Sequence, residues 1–258
     1  MVELPVPASR TVVPAVIGGV VGLAVLVALG WLIFAPSSAG GPSGVEPVET
    51  PAPRWAPPGA PPVAAATPGA GIAGLVDADW ADAQSAATGI PRRALVAYAG
   101  AALVKAQQMP QCGLSWTTLA GIGAAESDHG RHGGSSIGPD GTVTPPILGV
   151  ALAGGTTANI PDSDKGAIDG DAAIDRAVGP MQLIPQTWRN WHVDANGDGV
   201  QDPQNIDDAV TASANYLCRS SIHMDTEAGW RAAVSAYNSS DIYLGRVARF
   251  ATAYNAAR

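Results

Sequence analysis

The sequence has little positive charge. Lys and Arg together number 14 against 22 Asp and Glu, which gives a formal net charge of −8. No cluster of Lys or Arg occurs along the chain, and this excludes the basic surface that a nucleic-acid partner needs. Charged residues make up only 14% of the chain and hydrophobic residues 47%, so the chain is not a disordered polyelectrolyte either.

Cysteine and histidine are also scarce. The two cysteines, Cys112 and Cys218, are too few for a disulfide-rich scaffold or a Cys-based zinc site. The four histidines form no H-E-x-x-H pattern, so a catalytic zinc ion is not expected. His129 and His132 are three residues apart and could bind a metal, but they are more typical of ordinary loop residues.

One long stretch without charge lies near the N-terminus, at residues 15–34. As a helix it would be about 30 Å long, which matches the hydrocarbon core of a bilayer. We therefore expect residues 1–35 to hold a short cytoplasmic N-terminus and an uncleaved transmembrane anchor, with a cleaved signal peptide as the main alternative. The rest of the chain would then be extracytoplasmic, on a single-pass protein of the cell membrane.

A stretch rich in Pro, Ala and Gly follows. Residues 36–70 include ten Pro, eight Ala and five Gly, a composition that cannot bury a core. We expect residues 36–72 to be a disordered linker that tethers the folded domain, residues 73–258, to the membrane. In an oxidising compartment Cys112 and Cys218 are expected to form one disulfide, with two unpaired buried thiols as the alternative.

Helical patterns dominate the folded domain, and neither a repeat nor a βαβ alternation is present. Five helices are expected, and their predicted first residues or caps are Pro91, Ser115, Asp207, Asp225 or Thr226, and Ser240 or Asp241. Residues 137–170 are rich in Gly and Pro and predict a long irregular insertion, which either holds a short β-hairpin or lies over a cleft. The predicted fold class is therefore mainly α.

Glutamate is rare, and its rarity singles out Glu126. Five of the 22 acidic residues are Glu, and only Glu126 and Glu227 lie in the folded domain. Glu227 falls in the first turn of a predicted helix, where the helix dipole favours a carboxylate. Glu126 lies near the C-terminus of an apolar helix, where the dipole and partial burial both raise its pKa. A general acid near neutral pH requires such a raised pKa, while a solvated Glu at a helix end is the plainer alternative.

Three short segments form a motif set that includes Glu126. They are A-A-E-S-D-H-G at residues 124–130, V-G-P-M-Q-L-I-P-Q-T-W at 178–188 and S-A-Y-N at 235–238, followed by Tyr243. In this order and spacing they resemble the lytic transglycosylases, most closely the membrane-bound lytic murein transglycosylase B type in its actinobacterial form. The resemblance covers residues 91–256. It implies a lysozyme-like fold with a deep cleft that binds the glycan strands of peptidoglycan.

The resemblance also implies roles for single residues. Lytic transglycosylases use one glutamate, so Glu126 would protonate the oxygen between MurNAc and GlcNAc. It would then take the proton of the muramyl C6 hydroxyl, which closes a 1,6-anhydro ring without water. The implied substrate-binding residues are Ser127, Gln182, Tyr216, Tyr237, Asn238 and Tyr243. Some relatives carry a Ser where this chain has Ala173, so a direct partner for Glu126 is expected from Asp175 or Ser127 instead.

A second motif is typical of a calcium site. The run D-A-N-G-D-G-V at residues 194–200 matches the first half of an EF-hand loop. Position twelve, normally Glu, is Asn205, and the transglycosylase B resemblance implies a longer loop. The expected ligands are Asp194, Asn196, Asp198, the backbone carbonyl of Val200, and Asp208. We expect a structural Ca²⁺ there that joins segment 179–188 to the helix at Asp208, although such residues also make ordinary turns.

Two other functions fit the same residues. A muramidase on the same fold would let water attack, and it needs a second carboxylate, for which Asp128 and Asp175 are the candidates nearby in sequence. A non-catalytic wall-binding or scaffold module would not need the carboxylate of Glu126 at all. Fold similarity alone does not decide between these functions.

Overall fold

The computed structural model describes residues 53–155 and 157–257, which form seven α-helices and four short strands. The helices are α1 (Ala78–Thr88), α2 (Arg92–Gln108), α3 (Trp116–Ser127), α4 (Pro185–Trp191), α5 (Ile206–Ser220), α6 (Glu227–Tyr237) and α7 (Asp241–Ala256). The predicted membrane anchor at residues 15–34 lies outside the described residues. No helix within the described ranges has the length and apolar character needed to cross a bilayer.

All five predicted helices are present, and their caps explain where they begin. The side chains of Ser115 and Thr226 accept hydrogen bonds from backbone N–H groups in the first turns of α3 and α6, as N-cap residues do. Asn205 caps α5 in the same way. Helices α1 and α4 were not predicted, although Asp77 caps α1 and Pro185 opens α4, both of which are recognised start signals.

Helix α2 forms the centre of the core. Its residues from Ala94 to Ala102 are buried, and the surrounding apolar side chains come from α3, α5, α6 and α7. Helix α7 packs closely on α3 because Gly121 has no side chain. A Cβ at that position would lie 2.9 Å from the carbonyl oxygen of Val247. This contact brings the beginning of α7 next to the end of α3.

The predicted insertion contains the β-structure. Strands β1 (Ser136–Ile137) and β2 (Val143–Thr144) pair antiparallel, and β3 (Leu148–Ala151) pairs antiparallel with β4 (Arg176–Val178). The side chain of Gln204 holds the insertion against the domain, since its amide exchanges two 3.0 Å hydrogen bonds with the backbone of Ile147. The residues between β3 and β4 form Asp-capped turns and bridges.

Residues 53–72, which the sequence places in the disordered linker, lie against the helical domain instead. The indole N–H of Trp116 donates to the carbonyl oxygen of Ala60 at 3.1 Å, and the Asn255 amide donates to that of Pro57 at 2.7 Å. These residues form no α-helix and no strand, but backbone of this kind can still bond to a neighbouring surface. The linker as far as residue 52 lies outside the described residues.

The predicted disulfide is confirmed. Cys112 and Cys218 are bonded to each other, with their Cα atoms 5.4 Å apart. Both residues are fully buried, and the bond joins the turn after α2 to the C-terminal part of α5.

Candidate active site

Glu126 lies in the last turn of α3, at the junction with α7. The hydroxyl of Tyr243 donates a 2.6 Å hydrogen bond to its Oε1 atom. Tyr243 is in the first turn of α7 and is only 9% exposed. Its ring therefore shields one side of the carboxyl group. Oε2 receives no hydrogen bond from the described residues and is available to carry a proton.

The surroundings of Glu126 hold its carboxyl group close to half-ionisation at neutral pH. Burial raises its pKa to about 7, while the hydrogen bond from Tyr243 and the charge of Arg246 lower it. Loss of hydration disfavours the charged form of a carboxyl group. The sequence predicts the direction of this shift, and a group with such a pKa can give up and regain a proton within one reaction.

Ser127 is buried and bonds to backbone groups of the same chain. It is 1% exposed, and its hydroxyl donates to the carbonyl oxygen of Pro180 at 2.6 Å and accepts from the N–H of Gly130 at 2.8 Å. These bonds tie the end of α3 to the Gly-Pro-Met-Gln turn at residues 179–182. The resemblance implies that Ser127 contacts the substrate. In the structure its hydroxyl group instead donates and accepts hydrogen bonds within the protein.

Gln182 lies on the turn that Ser127 holds. Its backbone has a φ of 48°, which is unusual for a residue with a side chain. Its side-chain amide donates to the carbonyl oxygen of Gly179 at 3.0 Å. A Cβ on Gly149 would lie 2.8 Å from its Oε1 atom. Gln182 thus sits between this turn and strand β3, so the insertion contributes to its surroundings.

Tyr237 on α6 supports the same turn, and Tyr216 on α5 in turn bonds to α6. The Tyr237 hydroxyl donates to the carbonyl oxygen of Met181 at 2.6 Å and lies 3.0 Å from the hydroxyl of Ser213. The Tyr216 hydroxyl donates to the carbonyl oxygen of Ala236 at 2.7 Å, and the two rings are 6.0 Å apart. Burial, followed by the nearby charge of Glu126, raises the pKa of Tyr237. Tyr237 and Glu126 therefore belong to one cluster.

Asn238 ends α6 directly after Tyr237. It is 7% exposed, and its side-chain oxygen accepts a 3.0 Å hydrogen bond from the N–H of Ser240. This bond shapes the short connection to α7, which carries Tyr243. The structure brings Tyr237 and Tyr243 to Glu126 and places Gln182 on the turn to which Tyr237 bonds, whereas Ser127 and Asn238 shape the backbone around them.

Asp128 and Asp175, the candidates for the second carboxylate of a muramidase, are both engaged elsewhere. Asp128 is exposed and pairs with Arg131 at 2.7 Å. Asp175 is fully buried and accepts hydrogen bonds from the N–H and the hydroxyl of Ser163, at 2.9 and 2.7 Å. The partner of Glu126 is Tyr243, so the expectation of Asp175 or Ser127 is wrong. The sequence does not show that α3 and α7 pack against each other, so this hydrogen bond could not be inferred from it.

A second buried cluster at the end of α3 was not predicted. The Nδ1 atom of His129 is 3.2 Å from the hydroxyl of Tyr98 on α2, and its Nε2 atom is 2.9 Å from the hydroxyl of Tyr254 on α7. Burial lowers the pKa of His129 to about 4. A neutral imidazole with both nitrogens occupied fixes the loop after Glu126. The three residues are far apart in sequence, so no local pattern indicates the cluster.

The predicted calcium loop has the backbone turns of its motif. One Asp194 carboxylate accepts hydrogen bonds from the N–H groups of Gly197, Asp198 and Gly199. The other expected side-chain ligands lie in the same turn, since the Asn196 amide donates to Asp198 at 2.8 Å. These bonds orient the carboxylates, and they also suffice for an ordinary turn.

Asp208 connects this loop to α5. It is fully buried, and its carboxylate accepts from the N–H groups of Ala195 at 2.7 Å and Asp202 at 2.9 Å. Burial raises its pKa, the backbone hydrogen bonds lower it, and the charge of Asp194 raises it again. Two acidic groups that repel each other, one of them buried, fit a cation-binding role, and their oxygen atoms suit Ca²⁺.

A different acidic group has the tighter geometry. Within residues 53–155 and 157–257, one such group consists of Asp162, Asp164 and Asp175. Their ligand atoms all lie within 4.8 Å of one another. They lie in the loop between β3 and β4, where backbone N–H groups bond to each of them. This loop is the second place in the described chain where acidic oxygens could hold a metal ion.

Comparison with known proteins gives one match. Residues 162–245 match the family model described as the transglycosylase SLT domain, and no curated protein or solved structure matches the chain. The matched span holds Gln182, the 194–208 loop and Tyr243, while Glu126 precedes it. The match supports a lytic transglycosylase with peptidoglycan as its substrate. The helix-rich fold is consistent with such a domain.

Proposed function

We propose that this protein is a peptidoglycan lytic transglycosylase of the membrane-bound B type, and that it cleaves the β-1,4 bond between MurNAc and GlcNAc. The observation that carries the proposal is Glu126, a carboxyl group with a pKa of about 7 held by Tyr243 at the junction of α3 and α7. Its place in the first segment of the motif set, together with the match over residues 162–245, supports peptidoglycan as the substrate.

In the first step Glu126 is the general acid. The Tyr243 hydroxyl occupies Oε1, so the proton resides on Oε2 and is transferred to the glycosidic oxygen as the bond to the muramyl C1 breaks. The GlcNAc end leaves as an alcohol. The acetamido group of the muramyl residue stabilises the positive charge that develops at C1, and the resemblance assigns the positioning of that group to Tyr237 and Asn238.

In the second step the same carboxylate is the base. Glu126 takes the proton of the muramyl C6 hydroxyl while its oxygen bonds to C1, which closes the 1,6-anhydro ring and restores the protonated carboxyl group. No water enters the products. A hydrolase would require a second carboxylate to activate water, and the candidates Asp128 and Asp175 are bonded to Arg131 and Ser163.

Fragment analysis tests this mechanism. The full chain is incubated with purified peptidoglycan, and the released fragments are identified by mass spectrometry. We expect anhydro-muramyl ends from the wild type and none from Glu126→Gln. Glu227→Gln is the matched control, because Glu227 is the other glutamate of the domain and lies exposed at the start of α6. It should release the same fragments as the wild type.

The other outcomes identify the alternatives. Reducing muramyl ends that disappear in Glu126→Gln would show a muramidase on the same site. Release of no fragments by a folded wild type that still sediments with peptidoglycan would show a binding module. Equal release by Glu126→Gln and wild type would remove Glu126 from the reaction.

We also propose that the 194–208 loop binds Ca²⁺ as a structural ion. Its support is the ligand chemistry of the loop and the repulsion between Asp194 and buried Asp208. Added Ca²⁺ should raise the melting temperature of the full chain after EDTA treatment, and Asp198→Asn should abolish that rise. Asp164→Asn in the other acidic loop is the matched control. If it abolishes the rise and Asp198→Asn does not, the ion binds between β3 and β4 instead.

For localisation, we propose a single-pass membrane protein with an extracytoplasmic domain. The uncharged run at residues 15–34 and the disulfide, which is typical of oxidising compartments, support this. Protease added to intact cells should digest the domain, and membranes washed with high salt should retain the chain. Release of a shortened chain into the medium would indicate a cleaved signal peptide.

A further inference from the structure

Arg246 differs from the other partly buried arginines of the described chain. Arg93 pairs with Asp207 at 2.6 Å, and Arg176 pairs with Asp171 at 3.0 Å. Arg231 donates to a backbone carbonyl. Arg246 is partly buried too, but it has neither an ion pair nor a hydrogen bond with any residue in the described ranges. Its guanidinium nitrogens are not among the buried polar atoms that lack a partner, so solvent reaches them and they are free to bind a ligand.

The position of Arg246 places it beside the proposed catalytic group. It follows Tyr243 by three residues on α7, and residues at this spacing share a helix face. Tyr243 bonds to Glu126, and the next residue, Val247, is the one that approaches Gly121 of α3. The charge of Arg246 lowers the pKa of both Glu126 and Tyr243. One cation therefore lies near the carboxyl group beside which the proposed reaction requires the muramyl residue to bind.

The proposed substrate carries an anion at a suitable place. A muramyl residue bears a lactyl arm on the same sugar ring whose C1 reacts. That arm ends in a free carboxylate when no peptide is attached, and otherwise in a stem peptide with carboxylates of its own. Arginine binds carboxylates with two parallel hydrogen bonds, and a protein with a net charge of −8 otherwise repels such a polymer.

We propose that Arg246 is a specificity-determining residue, which binds a carboxylate on the lactyl arm or its peptide and so selects muramyl glycans over uncharged glycans. The proposal rests on the proposed function for the identity of the glycan. It assigns Arg246 a direct contact with substrate, in addition to its effect on Glu126.

Binding in a variant that cannot cleave provides the test. In the full chain with Glu126→Gln, affinity is measured by calorimetry for three soluble glycans of equal length. The first carries stem peptides, the second has free lactyl carboxylates after the peptides are removed, and the third has its lactyl carboxylates reduced to alcohols. The measurements are repeated after adding Arg246→Gln, Arg246→Lys or Arg249→Gln.

Arg246→Gln should weaken binding of a carboxylate glycan by about tenfold or more, the effect of losing a charge-assisted hydrogen bond. It should leave the reduced glycan unaffected. Arg246→Lys should lose less, since it keeps the charge but not the fork geometry. Arg249→Gln removes the same charge from an exposed position one turn further along α7 and should change nothing. A loss confined to the peptide-bearing glycan identifies a peptide carboxylate, and a loss also on the peptide-free glycan identifies the lactyl carboxylate.

Two results would overturn the proposal. One is an equal loss of affinity for the reduced glycan, which would mean that Arg246 acts without a carboxylate. The other is an unchanged affinity for both carboxylate glycans in Arg246→Gln. Because binding is measured without cleavage, selective loss in Arg246→Gln together with an inactive wild type would reject the transglycosylase function and keep the carboxylate contact.

Discussion

Glu126 and His129 lie three residues apart at the same end of α3, and burial acts on both in the direction of the neutral form. It raises the pKa of the carboxyl group to about 7 and lowers that of the imidazole to about 4. The difference lies in their partners. Both nitrogens of His129 are within hydrogen-bond distance of tyrosine hydroxyls, whereas Glu126 has one oxygen bonded and one free among the described residues.

This difference separates a group that holds the fold from a group that is able to transfer a proton. A buried polar group with all its positions occupied holds the fold in one arrangement. A buried acid with one position unoccupied can transfer its proton to a ligand. The sequence places the two residues in one motif, but only their partners from α2 and α7 distinguish them.

The largest expected effect is on turnover. Glu126→Gln should lower the rate of fragment release by about a thousandfold, within the range that positioned acids contribute. His129→Phe should lower the rate only as far as it lowers the folded fraction. Initial rates divided by the folded fraction from circular dichroism test the comparison. An equally large loss per folded molecule in His129→Phe would mean that the imidazole takes part in the chemistry.

The next largest effect is on stability, and here His129→Phe should be the more damaging of the two substitutions. His129→Phe leaves the buried hydroxyls of Tyr98 and Tyr254 without their partner, which should cost about 3 kcal/mol in urea unfolding. His132→Phe is the matched control, because His132 is exposed, and should lie within about 0.5 kcal/mol of wild type. Equal stability of the two variants would show that the His129 cluster does not hold the loop.

The pH dependence of stability is a further test of the comparison between Glu126 and His129. The pKa of Glu126 is higher in the folded state than its ordinary value of 4.5, so ionisation opposes folding as pH rises from about 4.5 to 7 and the cost is complete above that range. Glu126→Gln removes the cost and should be more stable than wild type by about 3 kcal/mol at pH 8. The two proteins should be nearly equal at pH 4. A constant difference across this range would indicate that Glu126 is solvated.

Part of this site could be predicted from the sequence. The scarcity of glutamate and the apolar helix around Glu126 indicate both the residue and the direction of its pKa shift. Ser115 and Thr226 begin helices through local hydrogen bonds, which is why cap residues locate helix starts. The Ser127 hydroxyl could not be placed, because its partner Pro180 is brought near only by tertiary packing.

The contacts that could not be predicted join residues that are far apart in the sequence. Tyr98, His129 and Tyr254 meet because α2, α3 and α7 pack together, and Gly121 permits the closest of these approaches. Residues 53–72 have the composition of a linker and still bond to α3 and α7. The composition of a segment determines whether it can form a hydrophobic core of its own. It does not determine whether the segment packs against the surface of a neighbouring domain.

The smallest expected effect concerns the bond that holds Glu126. Tyr243→Phe removes a hydrogen bond that lowers the pKa of Glu126, so that pKa should rise above 7 and the decline of activity at alkaline pH should shift upward. Turnover should fall about tenfold, because the ionised carboxylate of the second step loses its donor. Tyr254→Phe changes the same group on the same helix but on the His129 side. It should lower stability and leave the pH profile in place, so a shared shift in both variants would show that the two clusters titrate as one.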